Sequence, residues 1–184
     1  APTPPIAIQL VAAEPLPPIA TCTTRTAKSQ PIVQDLTLAH GPHTVSLTLT
    51  LLARDGVHTG GHLWNASRHL ARWLFARRDR LAGLRVLELG CGLALPAITC
   101  AACGCAEVRA TDSLPELAAH AEANAAANGL CVVARCVDFT CRADVEGCDC
   151  GSWDLVLFAD AVYGGSCGAG AELPHALATL LLSR

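Results

Sequence analysis

The sequence predicts an α/β fold, a doubly wound and mostly parallel sheet with helices on both faces. Two observations predict it. From Arg85 onward, short apolar runs alternate with longer helix-like segments, and this alternation requires crossovers between parallel strands. The first of these runs ends in a tight bend that contains Gly90 and Gly92, and a bend of this kind joins a strand to a helix in open α/β sheets. At 184 residues the chain is long enough for one such domain.

The chain before the alternating region divides into two parts. Residues 1–31 contain seven of the eleven prolines and little periodicity, which indicates a flexible or extended lead-in. Residues 32–52 predict a β-hairpin, because Val45 to Leu51 alternates apolar and polar residues and Ile32 to Leu38 precedes it across a Gly-Pro turn. We therefore expect a flexible, proline-rich lead-in over 1–31 and a folded domain over 32–184.

The remaining elements are predicted from their periodicity. The segment after Gly61 has apolar residues on one helical face, and the later helices are bounded by Pro96 near the start of one and by Gly129 at the end of another. The predicted strands are 85–89, 107–111, 131–137 and 153–159, and the predicted helices are 63–81, 95–103, 114–128 and 172–182.

Composition excludes several classes of function. The mean hydropathy is +0.38, yet no apolar run approaches the roughly 18 residues of a membrane helix. A net charge of −3 gives no general attraction to nucleic acid or to anionic lipid. We therefore expect no membrane partner and no nucleic-acid partner.

Cysteine is abundant, with eleven residues, an odd number. Because most of them lie in apolar segments and no secretory signal precedes them, we interpret them as reduced, in a protein of the cytoplasm or the nucleus. A zinc set is the alternative: Cys100 and Cys103 have zinc-knuckle spacing, but Cys148 and Cys150 are one residue too close. We expect no metal.

The glycine bend limits the chemistry of its ligand. Gly90 and Gly92 would let a ligand approach bare backbone, and Asp112, at the end of the next strand, is placed to accept the hydroxyls of a ribose. The dinucleotide fingerprint requires a third glycine where Leu95 stands, and Glu88 would repel a pyrophosphate. A cofactor that carries an ammonium and a sulfonium fits better, which favours S-adenosylmethionine. A tight turn without a ligand is the alternative.

Five motifs together resemble a known family. The stretches LWNASRHLARWL, RVLELGCGLALPAI, ATD, VDF and WDLVLFADAVY resemble, in order and spacing, the seven-β-strand protein methyltransferases of the lysine methyltransferase family, also called methyltransferase family 16. The resemblance covers residues from about 32 to the end. Gly61-x-x-Trp64 and the Asp-Ala-Val-Tyr after the fourth strand narrow it to this family. It implies a Rossmann-like class I methyltransferase fold with S-adenosylmethionine as cofactor.

The resemblance also implies site residues. Those expected to contact the cofactor are Trp64, Glu88, Gly90, Cys91, Gly92, Asp112, Asp138, Phe139 and Ala159. Within this set, Glu88 to Gly92 would form the amino-acid end of the pocket, and Phe139 stands where the family usually has a tryptophan under the adenine. The acceptor side is expected to be formed by Asp160 and Tyr163, which match the family's Asp/Glu-x-x-Tyr/Phe motif.

Each of these assignments has a simpler alternative. Trp64 and Phe139 have apolar side chains suited to the core, and Asp160 is suited to cap the loop after its strand. Cys91 lies near a helix N-terminus, which can lower a thiol pKa and make it a nucleophile, although no companion base accompanies it in the motif.

The chain departs from the family in two ways. Ala94 and Ala97 stand where the family commonly has glycine. The chain also ends one helix after the fourth strand, whereas the family's sheet has three further strands, so we expect a fragment of a longer protein rather than a truncated domain with an exposed edge.

The sequence therefore predicts an S-adenosylmethionine-dependent methyltransferase that acts on a protein side chain, with lysine as the expected acceptor. The alternatives are a methyltransferase of small-molecule amines or nucleic acid, and a catalytically silent module that keeps the cofactor fold. The substrate protein and the oligomeric state are left open.

Overall fold

The computed structural model describes residues 21–25, 31–52, 59–161 and 169–182. Within these ranges the strands and helices follow the predicted order. The strands are β1 (Thr21–Arg25), β2 (Val33–His40), β3 (His43–Thr50), β4 (Arg85–Leu89), β5 (Glu107–Asp112), β6 (Val133–Cys136) and β7 (Leu155–Phe158). The helices are α1 (Asn65–Phe75), α2 (Leu95–Ala102), α3 (Pro115–Ala127), α4 (Arg142–Glu146) and α5 (Ala169–Leu182).

The first three strands form an antiparallel sheet in the order β1-β2-β3. The predicted hairpin is confirmed: β2 and β3 pair from Val33↔Thr50 to His40↔His43 across a turn in which Gly41 has a φ of +58°. Strand β1 lies within the segment predicted to be a flexible or extended lead-in. It is extended, and it pairs with β2 along its whole length.

The second sheet has four strands in the order β6-β5-β4-β7, and every pair in it is parallel. The predicted parallel sheet is therefore confirmed, with β4 as a central strand. Strand β4 matches its predicted range, and β5 is one residue longer at its end. Strands β6 and β7 each begin two residues later and end one residue earlier than predicted, and the short helix α4 was not predicted. Helix α1 also ends at Phe75, earlier than the predicted 63–81, and is followed by a short 3₁₀ turn at Arg78–Arg80.

Two apolar clusters cover the two faces of the parallel sheet. Side chains alternate along β4, so Val86 lies in one cluster while Leu87 and Leu89 lie in the other. The first cluster joins helices α1, α2 and α3 to the inward face of the β2–β3 hairpin, and the second contains the buried side chains of α4 and α5. The hairpin is thereby fixed to the same face of the sheet as α2.

This arrangement brings the carboxyl ends of four parallel strands together at one edge of the sheet, and loops 90–94, 113–114, 137–141 and 159–161 follow those ends. No helix within the described ranges has the length and apolar character needed to cross a membrane.

Candidate functional site

A cavity of about 300 Å³ lies at the carboxyl ends of the parallel strands. Its walls come from five separate stretches of the chain. They are residues 59, 60 and 62–64, residues 90–95, residues 112–114, residues 138 and 139, and residues 159–161, with Ser67 and Leu117 at the side. The strand-end loops and the segment before α1 therefore meet around one space.

The glycine turn after β4 forms the floor of this cavity. Gly90 and Gly92 have φ values of +62° and +50°, a conformation that glycine adopts without strain. A Cβ at Gly90 would lie 3.3 Å from the Cβ of Ala161, so a side chain there would project into the space between the walls. A Cβ at Gly92 would lie 2.8 Å from the carbonyl oxygen of Gly60. At Gly92, therefore, the close neighbour that excludes a side chain is the backbone of Gly60.

Ala94, two residues beyond Gly92, also has a left-handed backbone. Its φ and ψ are 59° and 29°, and it immediately precedes α2. This is one of the two positions where the chain has alanine and the family commonly has glycine. In the structure, the replacement places a Cβ on a left-handed residue, which costs about 1–2 kcal/mol relative to glycine.

Asp112 ends β5 with its carboxylate at the cavity wall. Its Oδ2 accepts a hydrogen bond from the amide of Gly92 at 3.0 Å, and its Oδ1 accepts one from the amide of Leu114 at 3.2 Å. Burial raises the pKa of this carboxyl, and the hydrogen bonds from these amides oppose that rise. Each oxygen keeps a further lone pair, so the carboxylate can accept two ligand hydroxyls without losing its structural bonds.

Glu88 is not where the sequence analysis expected it. It does not line the cavity, and its side chain is 1% exposed, with Oε2 accepting a hydrogen bond from the amide of Ala97 at 2.9 Å. Burial raises the pKa of Glu88 to about 8, so at neutral pH most of this carboxyl is protonated. A protonated Glu88 would bring no negative charge to the amino-acid end of the pocket, and its carboxyl holds the first turn of α2.

The two aromatic residues predicted for the site both line the cavity. Trp64 lines the cavity with 46% of its surface exposed, and its Nε1 donates a hydrogen bond to the carbonyl of Thr59 at 2.8 Å. The alternative that Trp64 belongs to the core is therefore wrong. Phe139 lines the cavity and also packs against the cluster that contains Leu87 and Leu89, so its ring has both roles.

The remaining predicted residues follow β6 and β7. Asp138 lines the cavity, and its Oδ1 accepts a hydrogen bond from the amide of Thr140 at 2.9 Å. Ala159 and Asp160 line the wall after β7, and Asp160 is exposed with a φ of +58°. Tyr163 lies outside the described residues, so its predicted place on the acceptor side stays a prediction.

Cys91 lines the cavity but is not suited to nucleophilic attack. Its side chain is 4% exposed, and burial, together with the nearby Glu88 and Asp112 carboxyls, raises the pKa of the thiol well above its usual range. A protonated thiol is a weak nucleophile. Among the described residues, no three His, Cys, Asp or Glu side chains come together as a metal-binding group, so the zinc set considered in the sequence is not assembled.

Sequence analysis missed one wall of the cavity. Thr59, Gly60 and His62 line it, with Ser113 and Ala161 elsewhere. The sequence analysis gave Gly61 a place before a helix and in the Gly-x-x-Trp motif and gave Gly60 no role, although glycine also marks a close backbone approach. That approach, to Gly92, is what the structure shows.

A family comparison matches most of the chain. The sequence profile of the family described as "Lysine methyltransferase" matches residues 44–180. The match extends from the hairpin to α5 and includes the segments that line the cavity.

Curated relatives match shorter stretches. The chain is 32% identical over 100 residues to the electron transfer flavoprotein beta subunit lysine methyltransferase of Danio rerio. The matched stretch covers 54% of this chain and 37% of that protein. The chain is 40% identical over 70 residues to the protein N-terminal and lysine N-methyltransferase EFM7 of Cryptococcus neoformans, or 38% of this chain and 23% of that protein. A histidine protein methyltransferase 1 homolog of Dictyostelium discoideum is 46% identical over 46 residues, or 24% of this chain and 15% of that protein. The chain therefore spans 37% or less of the length of these relatives.

Solved structures share the fold at low identity. The 16S rRNA N2 G1207 methyltransferase of T. Thermophilus, in complex with AdoMet and guanosine, superposes with a TM-score of 0.59 at 21% identity, over 91% of this chain and 41% of that chain. The magnesium protoporphyrin IX methyltransferase of Synechocystis PCC 6803, with bound SAH, gives 0.50 at 23% identity, over 62% and 49%. The Rossmann-like methyltransferase fold predicted from the sequence is thereby confirmed.

Proposed function

The chain belongs to the lysine methyltransferase family, which uses S-adenosylmethionine, and from this premise we propose that it transfers a methyl group to a protein side chain, with a lysine amine as the acceptor. The observation that carries the proposal is the cavity at the strand ends. It is where the fold places a cofactor, and its wall brings Asp112, Phe139 and Asp160 together.

The charge of the cavity wall supports a cationic ligand. Three carboxylates line it, those of Asp112, Asp138 and Asp160, and among the described residues no lysine or arginine lines it. Such a wall attracts an ammonium or a sulfonium and disfavours a pyrophosphate or a nucleic-acid backbone. At Gly90 the absence of a side chain leaves space in which a ligand can lie directly against the backbone. The residues present therefore fit S-adenosylmethionine.

We assign the following contacts to the cofactor. Asp112 would hold the ribose hydroxyls, Phe139 would lie against the adenine, and Trp64 would pack against the cofactor. The turn from Gly90 to Gly92 would hold the amino-acid end through its backbone. When bound, S-adenosylmethionine supplies an electrophilic methyl group on a positively charged sulfur.

The acceptor amine sets the harder task for the protein. A lysine has a pKa near 10.4, so holding it neutral at pH 7 costs about 4.6 kcal/mol, a cost that falls when the amine is desolvated in a narrow channel. Asp160 lies at the cavity wall with a left-handed backbone, a conformation that is strained for most residues and is often found where function requires it. We propose that Asp160 orients the amine through a hydrogen bond and that Tyr163 bounds the channel.

Binding of S-adenosylhomocysteine tests the cofactor assignment. We expect calorimetric titration of the folded chain to show saturable binding of S-adenosylhomocysteine and none of NAD. A folded chain that binds neither compound would contradict the proposal and would favour a silent module.

Asp160→Asn tests the acceptor side. Asparagine tolerates the same left-handed backbone and keeps the shape of the side chain, so the variant should fold and bind S-adenosylhomocysteine like the wild type. We expect transfer of labelled methyl to protein to fall by roughly a hundredfold or more. Equal loss of cofactor binding and of transfer would contradict the assignment of Asp160 to the acceptor and would favour a role in its loop.

The acceptor is distinguished by where the labelled methyl arrives. Label on lysine supports the proposal. Label on histidine would favour the activity named for the Dictyostelium discoideum relative. Label on small amines or on RNA would favour the corresponding alternatives. The acidic cavity wall argues against RNA as the acceptor.

A further inference from the structure

The side-chain amide of Asn124 joins the N-terminal sheet to the glycine turn. Asn124 lies on α3 and is 1% exposed. Its Oδ1 accepts a hydrogen bond from the amide of Thr50 at 2.9 Å, and its Nδ2 donates to the carbonyls of Thr50 at 3.2 Å and Leu93 at 3.4 Å. A buried amide that makes three bonds to backbone is well satisfied. Its removal takes this partner from the amide of Thr50 and from the carbonyl of Leu93, while the carbonyl of Thr50 keeps its bond from Nε2 of His120 at 2.6 Å. Asn124 thus connects two segments that are distant in sequence.

Asn128, one helical turn later, provides an internal comparison. Its Oδ1 accepts from the amide of Thr48 at 2.7 Å, and its Nδ2 donates to the carbonyl of Thr48 at 2.7 Å and to the carbonyl of Asn124 at 2.7 Å. Both asparagines therefore pair with the outer edge of β3 as a neighbouring strand would. The bonds of Asn128 go to β3 and to its own helix, whereas Asn124 also reaches the glycine turn.

The two segments that Asn124 connects continue into two different stretches of the cavity lining. Strand β3 ends at Thr50, and two residues later the amide of Leu52 donates a hydrogen bond to the carbonyl of Gly61 at 3.2 Å. The end of β3 is thereby tied to the segment 59–64, which forms one wall. Leu93 lies in the glycine turn and lines the cavity directly. The distance between Thr50 and Leu93 therefore bears on how these two stretches of the lining are placed relative to each other.

The contact between these walls has little tolerance. A Cβ placed on Gly92, next to Leu93, would lie 2.8 Å from the carbonyl oxygen of Gly60. Two backbones that approach so closely need a fixed separation, and a hydrogen bond from one rigid helix to both sides supplies it. Asn124 does not itself line the cavity.

We propose that Asn124 is a positioning residue of the cofactor cavity: it holds the end of β3 and the glycine turn at the spacing that the cofactor requires, without contacting the cofactor. The proposal rests on the proposed function, because it assigns the cavity to S-adenosylmethionine. It also couples the hairpin to the cofactor site, so that cofactor binding and order at the end of β3 support each other.

The matched variants Asn124→Ala and Asn128→Ala test this role. Each leaves backbone groups of β3 unpaired, so both should lower the melting temperature. Only Asn124→Ala also releases the glycine turn, and we expect it to weaken S-adenosylhomocysteine binding roughly tenfold, while Asn128→Ala changes the affinity less than about twofold. Equal affinities in the two variants would overturn the proposal.

Hydrogen exchange of the wild-type chain provides a second test that does not depend on a variant. The amides of Thr50 and Thr48 both donate to an asparagine of α3, but only the partner of Thr50 contacts the glycine turn. S-adenosylhomocysteine should therefore slow exchange at Thr50 more than at Thr48. Equal slowing would overturn the positioning role alone, whereas a folded wild-type chain that does not bind the compound would overturn the proposed function and this role together.

Discussion

The buried carboxyl of Glu88 should make the stability of the fold depend on pH. Its side chain is 1% exposed, and Oε2 accepts one hydrogen bond, from the amide of Ala97. Burial, with a smaller contribution from the nearby Asp112, raises the pKa of Glu88 from its ordinary 4.5 to about 8. The folded chain therefore keeps this proton over a range of pH in which the unfolded chain has already released it.

The sign and size of the effect follow from this difference. Below pH 4.5 both states hold the proton, and the stability contributed by the protonated carboxyl is fully present. Between pH 4.5 and pH 8 only the unfolded state releases it, so the free energy of unfolding falls by about 1.4 kcal/mol per pH unit. The loss approaches about 5 kcal/mol at pH 8 and then levels off, because both states are then ionised. A loss of this size is comparable to the whole stability of a small domain.

Glu88→Gln isolates this contribution. The glutamine oxygen can still accept the bond from Ala97, but the side chain cannot ionise. We expect the variant to gain stability relative to the wild type as pH rises from 4.5 to 8. Urea unfolding followed by far-UV circular dichroism at half-unit pH intervals measures the difference, in which contributions of other titrating groups cancel.

A constant difference between variant and wild type over this range would refute the reasoning, because it would mean that Glu88 ionises equally in both states. The same substitution at the exposed Glu146 controls for the loss of a carboxylate as such.

Two further pairs of variants test the backbone of the glycine turn. Gly92→Ala and Gly104→Ala both place a Cβ on a left-handed residue, which costs about 1–2 kcal/mol of strain. Of these two Cβ atoms, only that at Gly92 would meet another backbone, at 2.8 Å from the carbonyl oxygen of Gly60. We expect Gly104→Ala to lower only the melting temperature and Gly92→Ala also to reduce S-adenosylhomocysteine affinity; equal effects on affinity would contradict the contact between the walls. Ala94→Gly and Ala97→Gly each remove a fully buried methyl group, which costs about 0.8 kcal/mol. Each also raises the conformational entropy of the unfolded chain, which costs about 1 kcal/mol. Only Ala94→Gly also relieves the strain of a left-handed alanine. Urea unfolding should show Ala97→Gly destabilised by about 2 kcal/mol and Ala94→Gly close to neutral, and equal losses would show that Ala94 is not strained.

Local periodicity was sufficient to predict most of the fold. Strand β4 and helices α2 and α3 were found because their apolar residues repeat at the period of the element and are bounded by glycine or proline. Strand β1 was missed because its pairing with β2 is a tertiary contact, and Thr21–Arg25 shows no apolar alternation. Helix α4 was missed because five residues are too few to establish a helical period.

The site was predictable where topology alone determines position. The ends of β4 and β5 must lie side by side in a parallel sheet, so the glycine turn and Asp112 could be placed together from the sequence. The wall formed by Thr59 and Gly60 was not predictable, because it depends on hydrogen bonds such as that from Leu52 to Gly61. The burial of Glu88 was not predictable, and a motif does not contain the burial on which the charge of a carboxyl depends.

The five stretches that form the cavity have a consequence for the order of events during folding. They begin at Thr59 and end at Ala161, about a hundred residues apart along the chain. Contacts over such separations form late, because bringing the two ends of the intervening chain together costs conformational entropy. A growing polypeptide on the ribosome therefore has no cofactor site until the strand that precedes Ala161 has emerged and joined the sheet. Retention on an S-adenosylhomocysteine affinity resin would then separate fully assembled chains from those that are compact but incomplete.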